Sequence, residues 1–108
     1  MANTFKSYLA ADVVTSGNTI YTCPSSTQTT MIGLTIANKS NGTVSANAYL
    51  TRSGADYMII ANAPIMSGSS LVAVGGEQKI VLQDGDALKV TTSSNGSVDV
   101  IASLLEIA

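Results

Sequence analysis

Apolar and polar residues alternate with a period of two along most of the chain, which is the pattern of half-buried β-strands. For example, Ile32, Leu34 and Ile36 fall on one face of a strand, separated by small or polar residues. The pattern predicts strands near residues 5–10, 19–23, 31–37, 44–50, 55–60, 71–74, 79–82, 87–92 and 98–107. Because no segment shows a helical period, the chain is predicted to be all-β: an antiparallel β-sandwich or jelly roll of about eight to nine short strands.

Turn residues separate these segments. Asn41-Gly42 is the strongest short hairpin signal in the chain, and it predicts that the strands on either side of it pair with each other. Pro24 and Pro64 follow strand-like runs and are interpreted as strand terminators, because proline cannot donate a backbone hydrogen bond to a sheet.

The length of 108 residues fits one domain, so residues 1–108 are interpreted as a single β-sandwich. The first 18 residues leave an alternative open. Residues 11–18 are loosely patterned, and they fit either a strand of the sandwich or part of an assembly arm that reaches a neighbouring molecule.

Several predicted strands are apolar on both faces, whereas a solitary sandwich needs only one apolar face per strand. This holds for residues 57–60, 71–74, 80–82 and 98–107. A loop of the same chain could cover one such face, but four in so small a chain favour subunit contacts. We therefore expect a homo-oligomer, either a trimer or a ring. The predicted interface residues are Tyr57, Ile59, Leu71, Val74, Ile101, Leu105 and Ile107.

The composition supports a protein that works through contacts with other proteins. Hydrophobic residues make up 45% of the chain and charged residues only 11%, against about 25% charged in a typical soluble domain. Ser, Thr, Asn and Gly replace the missing charges, and these residues cost less to desolvate when a partner covers them. A secreted or simply weakly charged β-domain is the alternative interpretation.

Charge and hydropathy also exclude several classes of partner. The net charge is −2 and the five basic residues are scattered, so nucleic-acid binding is not expected. The apolar runs are far shorter than the roughly 20 residues of a membrane-spanning helix, so no membrane partner is expected. The chain opens without a basic segment followed by an apolar one, which predicts synthesis in the cytoplasm without a secretory signal.

No residues form a recognisable catalytic or metal-binding pattern. The chain has no histidine, which excludes a Ser-His-Asp or Cys-His site. Cys23 is the single cysteine, so neither an intrachain disulfide nor a cysteine-based metal site can form. Asp84-Gly85-Asp86 could offer oxygen ligands to Ca²⁺ but lacks a calcium loop's other ligands, and it is interpreted as a turn. We expect no enzyme activity, no catalytic residues, no cofactor and no metal.

Several segments together resemble a known group of proteins. They are residues 1–6, 20–24, 32–38, 63–65, 79–86 and 98–107. Across nearly the whole chain they are similar to small virion structural proteins of tailed bacteriophages, particularly cyanophages. The resemblance implies a β-sandwich located in the virion after synthesis in the host cytoplasm. It implies a capsid decoration or cement protein, or a tail, neck or fibre-associated component, with partners such as the major capsid protein.

Decoration is the first choice between these roles, because a short domain without an elongated repeat suits a cap better than a shaft. A carbohydrate-binding β-sandwich module is the alternative from another class. Such modules stack sugar rings on aromatic side chains, and the chain has no Trp and four Tyr. Tyr49 and Tyr57 are the candidate stacking residues.

Overall fold

A computed structural model describes residues 3–75 and 79–107 of the chain. All the regular structure in these ranges is β. The strands are β1 (Asn3–Ala10), β2 (Asn18–Thr22), β3 (Gln28–Asn38), β4 (Val44–Arg52), β5 (Ala55–Ile65), β6 (Ser70–Val74), β7 (Ile80–Leu82), β8 (Ala87–Thr92) and β9 (Val98–Ile107). Each strand matches one predicted from the alternation, and the sandwich prediction is confirmed. No helix in the described ranges is long and apolar enough to cross a bilayer.

The strands form two antiparallel sheets. The first has the order β1-β9-β3-β6, with β7 also paired to β3, and the second has the order β2-β8-β4-β5. Because β9 occupies one edge of β3, β6 and β7 share the other edge. Every connection except β4–β5 and β6–β7 passes from one sheet to the other. This order is that of a jelly roll.

The core lies between the two sheets. In β9, Val98, Val100, Ala102 and Leu104 point inward and are at most 1% exposed. They pack with inward residues of the neighbouring strands in one continuous hydrophobic cluster. This alternate burial stabilises the sandwich, because burying apolar surface contributes about 25 cal/mol per Å².

The prediction that β3 and β4 form a hairpin through Asn41-Gly42 is wrong. The two strands lie in different sheets. A two-residue hairpin turn of the Asn-Gly type needs positive φ at both residues, and neither residue has it. The Asn38 side chain shapes the connection instead: it donates to the carbonyl oxygens of Gly42 and Ile65, each at 2.8 Å.

We predict that Asn38→Ala lowers the free energy of unfolding by about 1–2 kcal/mol. The side chain of Asn38 is buried, and its loss leaves two carbonyl oxygens without this donor. Urea denaturation followed by circular dichroism measures the change. Asn41→Ala is the matched control, because Asn41 is exposed in the same loop. Equal losses in the two variants would contradict the role assigned to Asn38.

Pro64 was predicted to follow a strand but lies inside β5, opposite Ser45 of β4. The strand tolerates it because β5 is the edge of its sheet, where an amide directed away from β4 needs no partner within the sheet.

One side chain of β3, that of Ile32, points to a different side of the sheet from the predicted one. A register shift between Met31 and Gly33 breaks the alternation at Ile32. Met31 is fully buried in the core, whereas Ile32 is only half-buried. The predicted shared face of Ile32 and Leu34 is therefore wrong at Ile32, because the bulge turns it out of the inner face.

Residues 11–17 connect β1 to β2 and lie against the rest of the chain. Val13 is fully buried in the core, and its backbone bonds to Val98 and Gly96 at 3.1 Å each. Asp12 and Asp99 both contact the Lys39 ammonium group, at 2.5 and 2.8 Å. In the structure residues 11–17 form a loop that packs against the sandwich, and Asn18 begins β2.

Candidate interaction surface

The two outer faces of the sandwich differ in chemistry. The outer face of the second sheet is mainly polar, with Ser45, Asn47, Thr51, Lys89 and Thr91 among its outward side chains. Polar groups on this face bond to one another, as in the 2.9 Å bond from Asn47 to Thr91. Such a face is well suited to water.

The outer face of the first sheet is apolar. Nine large hydrophobic side chains of the described residues are exposed, and five of them lie on this face. These five are Phe5 at 75%, Leu9 at 71%, Val72 at 63%, Val81 at 53% and Ile101 at 52% exposed. Together with the half-buried Leu105 they define what we call the apolar face. Exposed apolar side chains that cluster in this way mark an interaction surface.

Strand register arranges the apolar face into two rows that run across the sheet. Direct partners in one row are Leu9, Ile101, Thr35 and Val72. Direct partners in the other row are Phe5, Leu105, Thr30 and Val81. In each row the threonine on β3 offers a methyl group beside its hydroxyl, so the apolar surface continues from β1 to β6 and β7.

A trough of small side chains separates the two rows. Its floor is formed by Ser7, Ser103 and Gly33, which are direct partners across β1, β9 and β3. An open cavity of about 370 Å³ lies here, lined by Phe5, Lys6, Ser7, Ile32, Ser103 and Leu104. The first sheet therefore presents two ridges with a groove between them.

The charged residues of the first sheet lie beside the two apolar rows, not within them: the Lys6 side chain is 42% exposed and borders the trough, and Asp99 points outward near one end of the sheet. Lys6 is on the inner side of β1, where its ammonium group is 3.0 Å from Glu106. Asp99 lies near the start of β9 and pairs with Lys39, and the hydrogen bond from Lys39 lowers the pKa of its carboxyl group. The two apolar rows and the trough floor carry no ionisable side chain.

A buried polar cluster lies beneath one end of the apolar face. The Tyr21 hydroxyl donates to Glu106 at 2.5 Å and lies 2.7 Å from the Thr29 hydroxyl. The hydrogen bond from Tyr21, followed by that from Lys6, lowers the pKa of Glu106. Burial and the bond to Glu106 raise the pKa of Tyr21. The cluster ties β1, β2, β3 and β9 together.

The Asp84-Gly85-Asp86 segment is a turn, as predicted. Gly85 has a φ of 85°, and the Asp86 amide donates to the Gln83 carbonyl at 2.9 Å. The buried Asp86 carboxylate accepts two bonds from the Arg52 guanidinium group, which lowers its pKa. Within residues 3–75 and 79–107, no group of three or more acidic or cysteine side chains could hold a metal ion.

The predicted interface residues fall in four places. Ile101, Leu105 and Ile107 point outward on β9. Tyr57 is 60% exposed on β5, at the edge of the other sheet. Two more are half-buried against the core, namely Ile59 and Leu71. Val74 is a correction: it is 1% exposed in the core, because it faces inward beside Leu34, and it offers no surface to a partner.

Sequence reasoning missed four residues of the apolar face: Phe5, Leu9, Val72 and Val81. On β1 the large apolar residues would normally be assigned to the core. Here the inner side of β1 carries Tyr8 and Ala10, which pack against the core, together with Lys6, whose ammonium group is 3.0 Å from Glu106. The pairing of β1 with β9 gives the facing, and no local pattern predicts that pairing.

The candidate sugar-stacking residues do not share a face. Tyr49 lies opposite Met58, which is on the outer face of the second sheet. Tyr57 lies opposite Leu50, whose side chain packs against the core. Two rings on opposite sides of paired strands do not form a platform for one sugar chain.

Comparison with known proteins gives one type of match. The sequence matches no protein-family model and no curated protein. The structure is similar to a chain in the crystal structure of the T13 IBDV viral particle, with a TM-score of 0.54 and 12% sequence identity. The alignment covers 96% of this chain and 30% of that chain, so this chain spans about a third of that chain's length. At this identity the likeness shows the fold alone, a β-sandwich found in a virus particle, and it gives no specific support to the tailed-bacteriophage resemblance.

Proposed function

We propose that the protein is a non-enzymatic structural component of a virus particle, which works through contacts made by its apolar face. The observation that carries the proposal is the contrast between the two sheets. The second sheet has a polar outer face, whereas the first exposes Phe5, Leu9, Val72, Val81 and Ile101 in one register. A clustered apolar surface of this kind is typical of a site that another molecule covers.

The virus-particle setting is supported by the fold. The strand order is that of a jelly roll, an architecture that occurs in viral capsid domains. The similar solved chain belongs to a virus particle. Neither observation identifies a host or a position on the particle.

Within this proposal, the more specific role is capsid decoration or cementing in a tailed bacteriophage, with the major capsid protein as a partner. Support comes from the resemblance of the sequence to small virion proteins and from the compact single sandwich, 45 Å in its longest dimension. A component of the tail, neck or fibre is the alternative within the same class.

Quantitative mass spectrometry of purified virions tests the role. A decoration protein is expected in hundreds of copies per particle, on the order of the number of capsid subunits, whereas a tail or neck component is expected in about six or twelve. Abundant cell proteins serve as the control for adhering material. Absence of the protein from particles that are otherwise complete would defeat the proposal. Particles made without it separate the roles: a fragile head indicates decoration, and a missing appendage indicates the tail.

A further inference from the structure

We infer that a second copy of this chain covers the apolar face, in a face-to-face pair with twofold symmetry. The inference rests on the proposed function only for its setting, since the pair would be the unit that enters the particle. It names the occupant of the face, which the proposed function leaves open. Three features of the face favour an identical partner: its relief, its charge and its size.

The relief of the face is complementary to itself. Two ridges, one through Leu9 and Ile101 and the other through Phe5 and Leu105, flank the trough over Ser103. Suppose that a twofold axis lies between the two faces, parallel to the ridges and midway between the trough and one ridge. That ridge of each copy then fits into the trough of the other copy. Sheets that pack face to face interlock side chains in this way, about 10 Å apart.

The charge of the face and the positions of the exposed hydrophobic side chains favour a twofold pair over the trimer or ring predicted from the sequence. A ring or trimer joins two different complementary surfaces, whereas a twofold pair uses one surface twice. The other exposed large hydrophobics of the described residues are scattered outside the apolar face: Val14, Tyr57, Met58 and Met66. The two apolar rows and the trough floor carry no ionisable side chain, and Lys6, which borders the trough, is paired with Glu106 at 3.0 Å. No unpaired like charges therefore face each other when two copies meet there.

The size of the face is adequate for a stable pair. The eleven residues of β3 extend about 35 Å and four strand positions span about 20 Å, so the whole outer surface of the first sheet measures roughly 700 Å² per copy. The apolar face forms the centre of this surface, and the outward Asp99 lies at its rim. A standard interface buries about 800 Å² per partner. A pair that buries most of this outer surface, with the apolar face at the centre and a polar rim, therefore reaches the lower range of specific interfaces.

Sedimentation velocity of the full chain between about 1 and 100 μM tests the inference. We expect the wild type to sediment as a dimer. Ile101→Asp is expected to weaken self-association by at least about 100-fold, because it would bury a carboxylate among apolar side chains. Met58→Asp is the matched control: Met58 is 50% exposed, close to the 52% of Ile101, but lies on the other sheet. We expect it to remain dimeric.

Three results would overturn the inference: a wild-type monomer at 100 μM, a trimer or larger ring, or an Ile101→Asp dimer of unchanged affinity. Circular dichroism shows whether each variant is folded. If Ile101→Asp unfolds, Leu9→Asp replaces it, because Leu9 is 71% exposed on the edge strand β1 and belongs to the same ridge. The outcome is independent of the virion assay: a solution dimer absent from particles defeats the proposed function alone, and a monomer found in particles defeats this inference alone.

Discussion

Leu104→Ala is expected to lower the free energy of unfolding by about 2–5 kcal/mol. Leu104 is 1% exposed, on the inner side of β9 between the two sheets. Its truncation removes buried apolar surface and leaves a cavity that the close-packed sheets fill only in part. Because the chain has no Trp, urea unfolding is best followed by far-ultraviolet circular dichroism. Low protein concentration keeps self-association from adding to the measured stability.

Leu105→Ala is the matched control for this prediction. The chemical change is identical and the residue is the next one along the strand, but Leu105 points to the outer face and is only half-buried. We expect its cost to be less than half that of Leu104→Ala, since less surface returns to water. If the two substitutions cost the same, the facing of β9 described above is wrong.

This pair of variants shows why much of the fold was predictable from the sequence. Alternation within β9 determines which of its side chains point inward. Leu104 and Leu105 differ in burial as this alternation requires. The strand positions follow from the same local rule. The β3–β4 hairpin was predicted wrongly because pairing depends on distant strands: the partners of β3 come from β6, β7 and β9.

The apolar face was predictable only in part, for the same reason. Ile101, Leu105 and Ile107 were predicted to be available to a partner because β9 is apolar on both faces, and the structure places them on its outer face. Phe5 and Leu9 were missed because a strand with one apolar side is normally assigned that side as its inner one. On β1 both sides carry apolar residues, since Tyr8 and Ala10 pack inward against the core. The inward Lys6 pairs with a residue 100 positions away, Glu106, whose carboxylate lies 3.0 Å from its ammonium group.

The buried cluster around Glu106 therefore links the core to the surface. By bonding Lys6 and Tyr21 on the inner side, Glu106 favours the orientation of β1 that leaves Phe5 and Leu9 in solvent. Replacing Glu106 should change both the stability of the sandwich and its dependence on pH.

We predict that Glu106→Gln lowers the free energy of unfolding at pH 7 by about 1.5–3 kcal/mol, the range for hydrogen bonds to a charged group. The pKa of Glu106 in the folded protein is below its ordinary value of about 4.5 because Tyr21 and Lys6 bond to the ionised form. A lowered folded-state pKa stabilises the fold above the unfolded-state value, and this contribution is lost as the pH falls through the folded-state value. Wild type and variant should therefore converge in stability as the pH falls through the folded-state pKa of Glu106.

Urea unfolding at a series of pH values between 7 and 2.5 measures this convergence. Leu104→Ala is the control within the same strand, because it removes a side chain two residues away that does not titrate, and its cost should be the same at every pH. A cost of Glu106→Gln that stays constant down to pH 2.5 would show that the carboxylate charge is not what stabilises the cluster. A cost that disappears with acid, beside a constant cost for Leu104→Ala, would assign the acid sensitivity to the bonds that hold β1 against the core.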